Sequence, residues 1–445
     1  MPGTCVLRDA VHGDMEFARD VEMETIDTSL VQRLRGIRQL GTASLVYPTA
    51  VHTRFDHSLG TAWMARRILD RLRATGASID RQEYLAVIIS ALLHDVTHIP
   101  FGHTFEDERR LFERHDTVGR FQQFLGDEAV ASLLDREQLT DTVLGILTGS
   151  TTHSHASWQR DIVCGTICAD LLDYLARDNY FCGLSQGYDD RLFRYFALHE
   201  GGLVFHASKG GEIREDALSE IIHLLRIRYF LTERVYFHHT KTATGAMISK
   251  AVELAMRQGL QLEDLFPMRD ETLMETLRTR YAPNDPALDR LLVGLDSRQV
   301  YKRAYLLDRS VGEDVQQDLI GRYHADRIER ENLEEELAAA TGLEAGELIV
   351  YCPAAKMSLK EAEVRVLVSG GAPVPLSSLQ IPEVDSLAAK HRNLWRFYVF
   401  VAARHSSDLK RVGEVIQGRL GYPNQLHGRR PRPWSSGTSE RKSQG

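Results

Sequence analysis

The chain has 445 residues, 43% of them apolar and 26% charged, a balance that fits a globular protein with one large or several ordinary domains. A formal net charge of −8 argues against a general nucleic-acid-binding protein and leaves room only for a local basic pocket. No apolar run reaches the length of a membrane span, no signal-peptide pattern opens the chain, and five scattered cysteines (5, 164, 168, 182, 352) fit a reducing, cytoplasmic setting.

Residues 4–20 read as a hairpin turning at His12-Gly13-Asp14. Asp27-Thr28 caps a helix expected to carry Leu30, Val31, Leu34, Ile37 and Leu40 on one face. Its other side holds Arg33, Arg35 and Arg38, either a solvated face or a phosphate-facing rim. A loop through Pro48 leads to a helix opened by Arg54-Phe55-Asp56-His57. Asp80 caps the next helix, 81–94. Pro100 and Gly102 interrupt the pattern there, so the histidines that follow lie on irregular backbone. Residues 104–150 read as helical and polar, and 158–180 as one strong helix. Cys164 and Cys168 within it are better read as small buried side chains than as part of a zinc site.

Leu203-Val204-Phe205 and Ile213 flank Ser208-Lys209-Gly210-Gly211, a second hairpin. Helices are expected over 216–258, 270–281, 285–293 and 297–307, and an acidic, solvated one over 326–340. The texture then changes to β-rich stretches at 348–351, 364–368 and 395–401, followed by a helix at 407–418. The expected fold is mainly α: a helical domain over 1–345 with short β-hairpins, a small α+β domain over 346–420, and a basic disordered tail over 421–445.

Six of the eighteen histidines fall between residues 52 and 115, which makes this stretch the place to look for chemistry. His94-Asp95 ends an apolar helix. The pair offers one nitrogen and one carboxylate to the same point, either as half of a metal site or as a hydrogen-bonded pair. Asp170 sits among Ile167, Cys168, Leu171 and Leu172, where a carboxylate needs a partner. Asp173 and Asp178 share its helical face with Tyr174, and each alone reads as part of a surface stripe.

Taken in order, Asp27-Thr28 with Gln32-Arg33-Leu34-Arg35 and Gln39-Leu40-Gly41, Arg54-Phe55-Asp56-His57-Ser58-Leu59-Gly60, His94-Asp95 with His98, Pro100, Phe101 and His103, and Asp170 with Asp173, Tyr174, Arg177 and Asp178 resemble the HD phosphohydrolase superfamily. Within it they resemble the deoxynucleoside triphosphate triphosphohydrolase branch. His391-Arg392-Asn393-Leu394-Trp395-Arg396 is similar to bacterial members. The resemblance implies His57, His94, Asp95 and Asp170 as ligands of one divalent transition metal, with iron, manganese, zinc, nickel and cobalt not distinguished. A Mg²⁺ would accompany the substrate. It implies His115 as the group that protonates the departing O5′, with Glu106 orienting it. Read alone, His115 is a surface histidine on a polar helix. The resemblance also implies Arg54, His98 and Arg228 on phosphate, His103 on sugar or phosphate, Tyr174 and Asp178 at the sugar, and Gln39 and Leu40 beside the base and the 2′-carbon.

The implied activity is hydrolysis of dNTPs to deoxynucleoside and triphosphate by a homo-oligomer, a dimer or tetramer. The alternatives are another nucleotide substrate (a nucleoside monophosphate, a signalling nucleotide or a nucleic-acid end) or a nucleotide-binding regulator with little turnover. Two positions depart from the pattern. Thr97 stands where glycine is common. Leu171 stands where the vertebrate enzyme has a phosphate-binding lysine, for which Lys241 or His238 could substitute. Arg35 and Gln32 match part of an allosteric nucleotide site at subunit interfaces.

Overall fold

The computed structural model describes residues 3–153, 155–354, 359–368 and 371–426; of the disordered basic tail expected over 421–445, residues 421–426 are instead packed in place and the remainder lies outside the described residues. The architecture is mainly helical with small sheets, as expected. The hairpin forms from β1 (Thr4–Asp9) and β2 (Gly13–Ala18), and Gly13, at φ +77°, makes its turn. Then come α1 (Val21–Asp27) and α2 (Ser29–Arg33), the latter capped by the Thr28 hydroxyl.

The helix expected to reach Leu40 stops at Arg33 and unwinds through a 3₁₀ turn at Leu34–Gly36. Long-range bonds pull the backbone out: Arg38 N donates to Asp270 Oδ2 at 2.9 Å, and Arg38 bridges to Thr53. Leu34 and Ile37 are buried all the same. The expected cap holds in α4 (Arg81–Leu93), closed by Asp80 and Glu83, while α3 (Arg54–Ala74) is closed by Thr53 and Asp56, a cap that the sequence reading places in the preceding loop.

Residues 104–150 are not one polar helical stretch. They form a π-helical turn at 104–108 and three short helices, α5 (Val118–Leu125), α6 (Glu128–Arg136) and α7 (Thr140–Thr148). The expected helix 158–180 is two, α8 (Ser157–Cys164) and α9 (Ala169–Phe181). They part at Gly165, where a Cβ would collide with the Asp161 carbonyl oxygen. The break puts Asp170 in the first turn of α9.

The second hairpin also pairs differently. β3 (Phe196–His199) pairs with β4 (Gly202–His206), while β5 (Ser208–Lys209) and β6 (Glu212–Ile213) form their own ribbon. Four helices follow: α10 (Glu215–Leu231), α11 (His239–Arg257), α12 (Leu262–Leu265) and α13 (Asp270–Thr276), with α14 (Pro286–Asp296) after them. The helix expected at 297–307 is instead a strand, β7 (Lys302–Asp308). Its run Ala304-Tyr305-Leu306-Leu307 is buried throughout, and a short continuous apolar run reads equally as helix or central strand.

Beyond α15 (Glu313–Ile320) and α16 (Arg327–Thr341) lie β8 (Leu348–Tyr351), β9 (Arg365–Leu367), β10 (Val374–Pro375), α17 (Pro382–Arg392), β11 (Arg396–Val401) and α18 (Leu409–Leu420). One sheet has the order β7-β11-β8 and another β10-β9-β4-β3, so strands from before and after residue 345 share both sheets. Asn424 and Gln425 bond to the β7 backbone. No helix of the described residues is long and apolar enough to cross a membrane.

One polar knot ties the segment after residue 104 to the C-terminal sheet. Arg109, fully buried, donates to Glu334 Oε1 and Glu253 Oε2, each at 2.7 Å, and to the Val350 carbonyl at 3.0 Å. Lys250 bridges the same two carboxylates at 2.5 and 2.7 Å. Glu334 therefore does not belong to the solvated acidic face expected of α16. Arg109→Ala leaves two buried carboxylates short of a partner and is expected to cost about 3–5 kcal/mol, read as a lowered denaturation midpoint.

Candidate metal centre and active site

Three helix ends converge on one point. α3 presents His57 one turn inside its cap. α4 ends at Leu93, so His94 and Asp95 leave the helix together. α9 presents Asp170 in its first turn. His57 Nε2 lies 3.2 Å from His94 Nε2 and 3.0 Å from Asp170 Oδ1, and His94 Nε2 lies 3.9 Å from the same oxygen. All three donor atoms fall within 4.8 Å of one another. The tautomers are set from behind. His94 Nδ1 donates to the Ala91 carbonyl at 2.8 Å, and His57 Nδ1 to Asp173 Oδ2 at 2.7 Å. Two imidazole Nε2 atoms facing each other across 3.2 Å need a proton or a metal cation between them, and with the Asp170 carboxylate beside them the donor set fits a divalent ion.

Asp95 stands at the rim, 3.6 Å from His94 Nε2 and 3.9 Å from His57 Nε2. Its oxygens already meet Arg54 (2.7 Å) and His98 Nδ1 (3.0 Å). Burial alone would raise the Asp95 carboxyl, but Arg54, His98 and His94 hold it well below the usual carboxylate range. Burial likewise opposes a charge on His57, yet its bonds to Asp170 and Asp173 lift the imidazole to about 10, so a divalent ion bound at Nε2 takes the place of a proton there. The pocket therefore favours a positive charge at that point.

Asp173 is not on a surface stripe. It is 0% exposed and accepts from His57, His12 and Arg177. His12 Nε2 reaches Oδ1 at 2.6 Å, and Arg177 grips both oxygens at 2.9 Å. Asp9 in turn takes Arg177 NH1 at 2.8 Å and the backbone N–H of His12. The hairpin turn is thus part of the wall behind His57, a role the sequence signalled only as a turn. α3 can approach this carboxylate because residue 60 is glycine: a Cβ there would collide with Asp173 Oδ1.

Beside the cage, the His98 and His115 rings stack at 3.6 Å, with His103 edge-on at 4.8 and 5.0 Å. These three also bring ring nitrogens within 4.8 Å of one another. Phe101 and Gly102, at φ +60° and +57°, turn the backbone between His98 and His103. A Cβ on Gly102 would strike the Arg54 guanidinium. Thr97 does not adopt a positive φ, so the local turn needs no glycine there. Arg33, expected on an exposed face, is buried and donates to the Val96 and His98 carbonyls at 2.7 Å, fixing this loop. Arg35 remains exposed and stacks on Phe55 at 3.6 Å.

His115 is buried rather than on a polar surface, and burial lowers its imidazole from the ordinary value. Its Nδ1 lies 2.8 Å from Glu106 Oε2. Glu106 stays ionised far below the usual range, because burial is outweighed by His103, 3.7 Å away, and by the hydrogen bond from His115.

One turn along α9 from Asp170, Tyr174 lies 5.3 Å from the Arg228 guanidinium, which also faces Tyr236 at 5.2 Å. Tyr236 donates to Asp178 Oδ2 at 2.6 Å, and His52 Nε2 meets Oδ1 at 2.9 Å. Asp178 is therefore buried, not part of a surface stripe. Tyr236 did not stand out in the sequence, and His52 did so only as one of the six clustered histidines. Glu361 Oε1 sits 3.1 Å from Arg228 Nε. Gln39 and Leu40 are half-buried. Gln39 N bonds to the His52 carbonyl, and Gln39 Oε1 is buried with no hydrogen-bond partner among the described residues. Leu171 is buried in the core, and both candidate substitutes for a lysine are engaged: Lys241 pairs with Glu108 at 2.6 Å, and His238 caps α11.

Residues 54–178 match the HD domain, and residues 190–421, just over half of the 445-residue chain, match the HD associated region. The chain belongs to the HD phosphohydrolase superfamily. Within this HD domain fall His57, His94, Asp95 and Asp170. An uncharacterised protein of Methanocaldococcus jannaschii is 32% identical over 301 residues, covering 67% of this chain and 58% of that protein. The deoxynucleoside triphosphate triphosphohydrolase SAMHD1 homolog of Dictyostelium discoideum is 27% identical over 314 residues, covering 67% and 59%. The chain thus spans less than two thirds of the length of these relatives. A phosphohydrolase from Bacteroides thetaiotaomicron shares the fold with a TM-score of 0.67 at 22% identity, over 89% of this chain and 100% of that one. A hypothetical protein from Aquifex aeolicus shares it at 0.69 and 21%, over 92% and 100%.

If Asp173 holds His57 in its metal-ready tautomer, Asp173→Asn weakens divalent-metal affinity about 10–100-fold in chelator competition. Gly60→Ala does the same, although alanine is the better helix former.

Proposed function

We propose that this HD phosphohydrolase hydrolyses a dNTP at the α-phosphorus, releasing a deoxynucleoside and inorganic triphosphate. The observation that carries the reading is a carboxylate-held imidazole, His115 on Glu106, beside a cluster of cation-seeking donors. That pairing suits expulsion of a poor alkoxide leaving group. A divalent ion held by His57, His94, Asp95 and Asp170 would polarise the phosphate and acidify a water. In the step itself, water oxygen bonds to the α-phosphorus as the bond to O5′ breaks, and the proton that the water gives up passes to solvent. His115, charged by a second proton taken up on Nε2 from solvent before the step, gives that proton to O5′, and the ionised Glu106 balances the charge on its ring while it is held. Arg54 holds Asp95, and His98 and His103 line the side on which the phosphates would lie. Arg228 would take a terminal phosphate, with Tyr174 and Asp178 near the 3′-hydroxyl. Gln39 would face the base, and the apolar Leu40 would disfavour a ribose 2′-hydroxyl. Assembly into a dimer or tetramer belongs to the same reading, on resemblance to the SAMHD1-type proteins.

Two observations favour a second reading, a smaller phosphoester substrate. Leu171 supplies no cation, and Glu361 already occupies Arg228. A panel of dNTPs, NTPs and dNMPs with Mg²⁺ or Mn²⁺ separates the two. The expected products are triphosphate and deoxynucleoside in equal amounts, with ribonucleotides turned over more slowly. His115→Ala is expected to lower kcat about 10²–10⁴-fold, and Asp170→Ala to abolish turnover together with metal retention. Orthophosphate from a monophosphate, with no triphosphate from any dNTP, contradicts the first reading. Binding without product in any metal would identify a regulator instead.

A further inference from the structure

Glu106 has two oxygens, and His115 uses only one. The other, Oε1, receives Arg120 NH1 at 3.2 Å. Arg120 lies in the first turn of α5, its side chain 4% exposed against 0% for Glu106. The guanidinium is packed as well as bonded. It lies 5.5 Å from the Phe266 ring, which in turn meets Phe124 of the same helix edge-on at 5.0 Å. The thread Arg120–Glu106–His115 therefore runs from a packed helix to the imidazole that faces His98 and His103.

The chemistry of that thread is specific. The imidazoles hold Glu106 ionised, but the one hydrogen bond from His115 reaches a single oxygen and leaves the carboxylate plane free to turn. A guanidinium on the second oxygen opposes that turn. It supplies a permanent positive charge and fixes the plane of the carboxylate. An ionised Glu106 only accepts hydrogen bonds, so His115 must carry a hydrogen on Nδ1, which leaves Nε2 as the atom that exchanges a proton with substrate. We propose that Arg120 is a positioning residue of the reaction: through Glu106 it sets the tautomer and orientation of the His115 proton donor. This rests on the reading of His115 as the group that protonates the leaving O5′.

The test compares the preferred dNTP with its analogue carrying sulfur in place of the bridging 5′-oxygen. A thiolate leaves without an acid, so any defect in proton donation shrinks on the sulfur substrate. Arg120→Met is expected to lower kcat on the oxygen substrate about tenfold or more, with KM and metal content unchanged. On the sulfur substrate most of that defect disappears, and Arg120→Lys recovers part of the rate on the oxygen substrate. An equal defect of Arg120→Met on both substrates, or a wild-type rate on the oxygen one, overturns the assignment, because structural damage would not distinguish the leaving groups. Arg120→Lys keeps the test open if the methionine variant fails to fold: its own ratio between the two substrates must shift in the same sense. His115→Ala run in parallel separates the layers. If its defect shrinks on sulfur and that of the Arg120 variants does not, only the role of Arg120 falls. If its defect does not shrink, the acid role of His115 falls.

Discussion

The carboxylate of Asp173 is the contact from which the centre is built. It is fully buried and receives His57, His12 and the Nε–NH2 edge of Arg177. A buried anion so well supplied with donors stays ionised, and Asp173 is held well below the usual range against the pull of burial. Being ionised, it can only accept, so His57 must turn Nε2 toward Asp170 and His94. One hub thereby sets the tautomer of a ligand and joins α3, α9 and the N-terminal hairpin. Those elements lie far apart in sequence, and the glycine at 60 lets them close.

Irregular backbone does the remaining positioning. The end of α4 releases His94 and Asp95 together, and the break between α8 and α9 brings Asp170 to a helix start. The positive φ angles of Phe101 and Gly102 turn the chain so that His98 and His103 meet. Arg33 bonds the carbonyls of that loop in place. Each of these features departs from regular helix, and each carries a residue of the cluster. Regular segments supply the rigidity, and their interruptions supply the geometry.

Much of this was legible in the chain, and the rest was not for physical reasons. The helix cap at Asp80 is local and was legible, and local pattern located the helix opened by Arg54 as well, though not its Thr53 cap. The order of His57, His94-Asp95 and Asp170 was legible because each sits at a helix end or in an apolar setting that a charge does not otherwise enter. Asp173 and Asp178 were not, since an acid three or eight residues along a helix looks solvated until its partners arrive from elsewhere. His12 and Tyr236 are such partners, joined to those acids across long stretches of chain. The helix expected at 297–307 failed because an apolar run does not say whether a sheet awaits it, and β8 and β11 follow much later. The helix expected through Leu40 failed because Asp270, far downstream, takes the Arg38 amide.

The whole account depends on one cation lying between His57 and His94. X-ray absorption at the edge of the metal bound to the purified protein tests this most directly. The account predicts nitrogen and oxygen neighbours at about 2.0–2.2 Å, with the outer-shell scattering of two imidazoles. A first shell containing sulfur, or one without imidazole scattering, contradicts it.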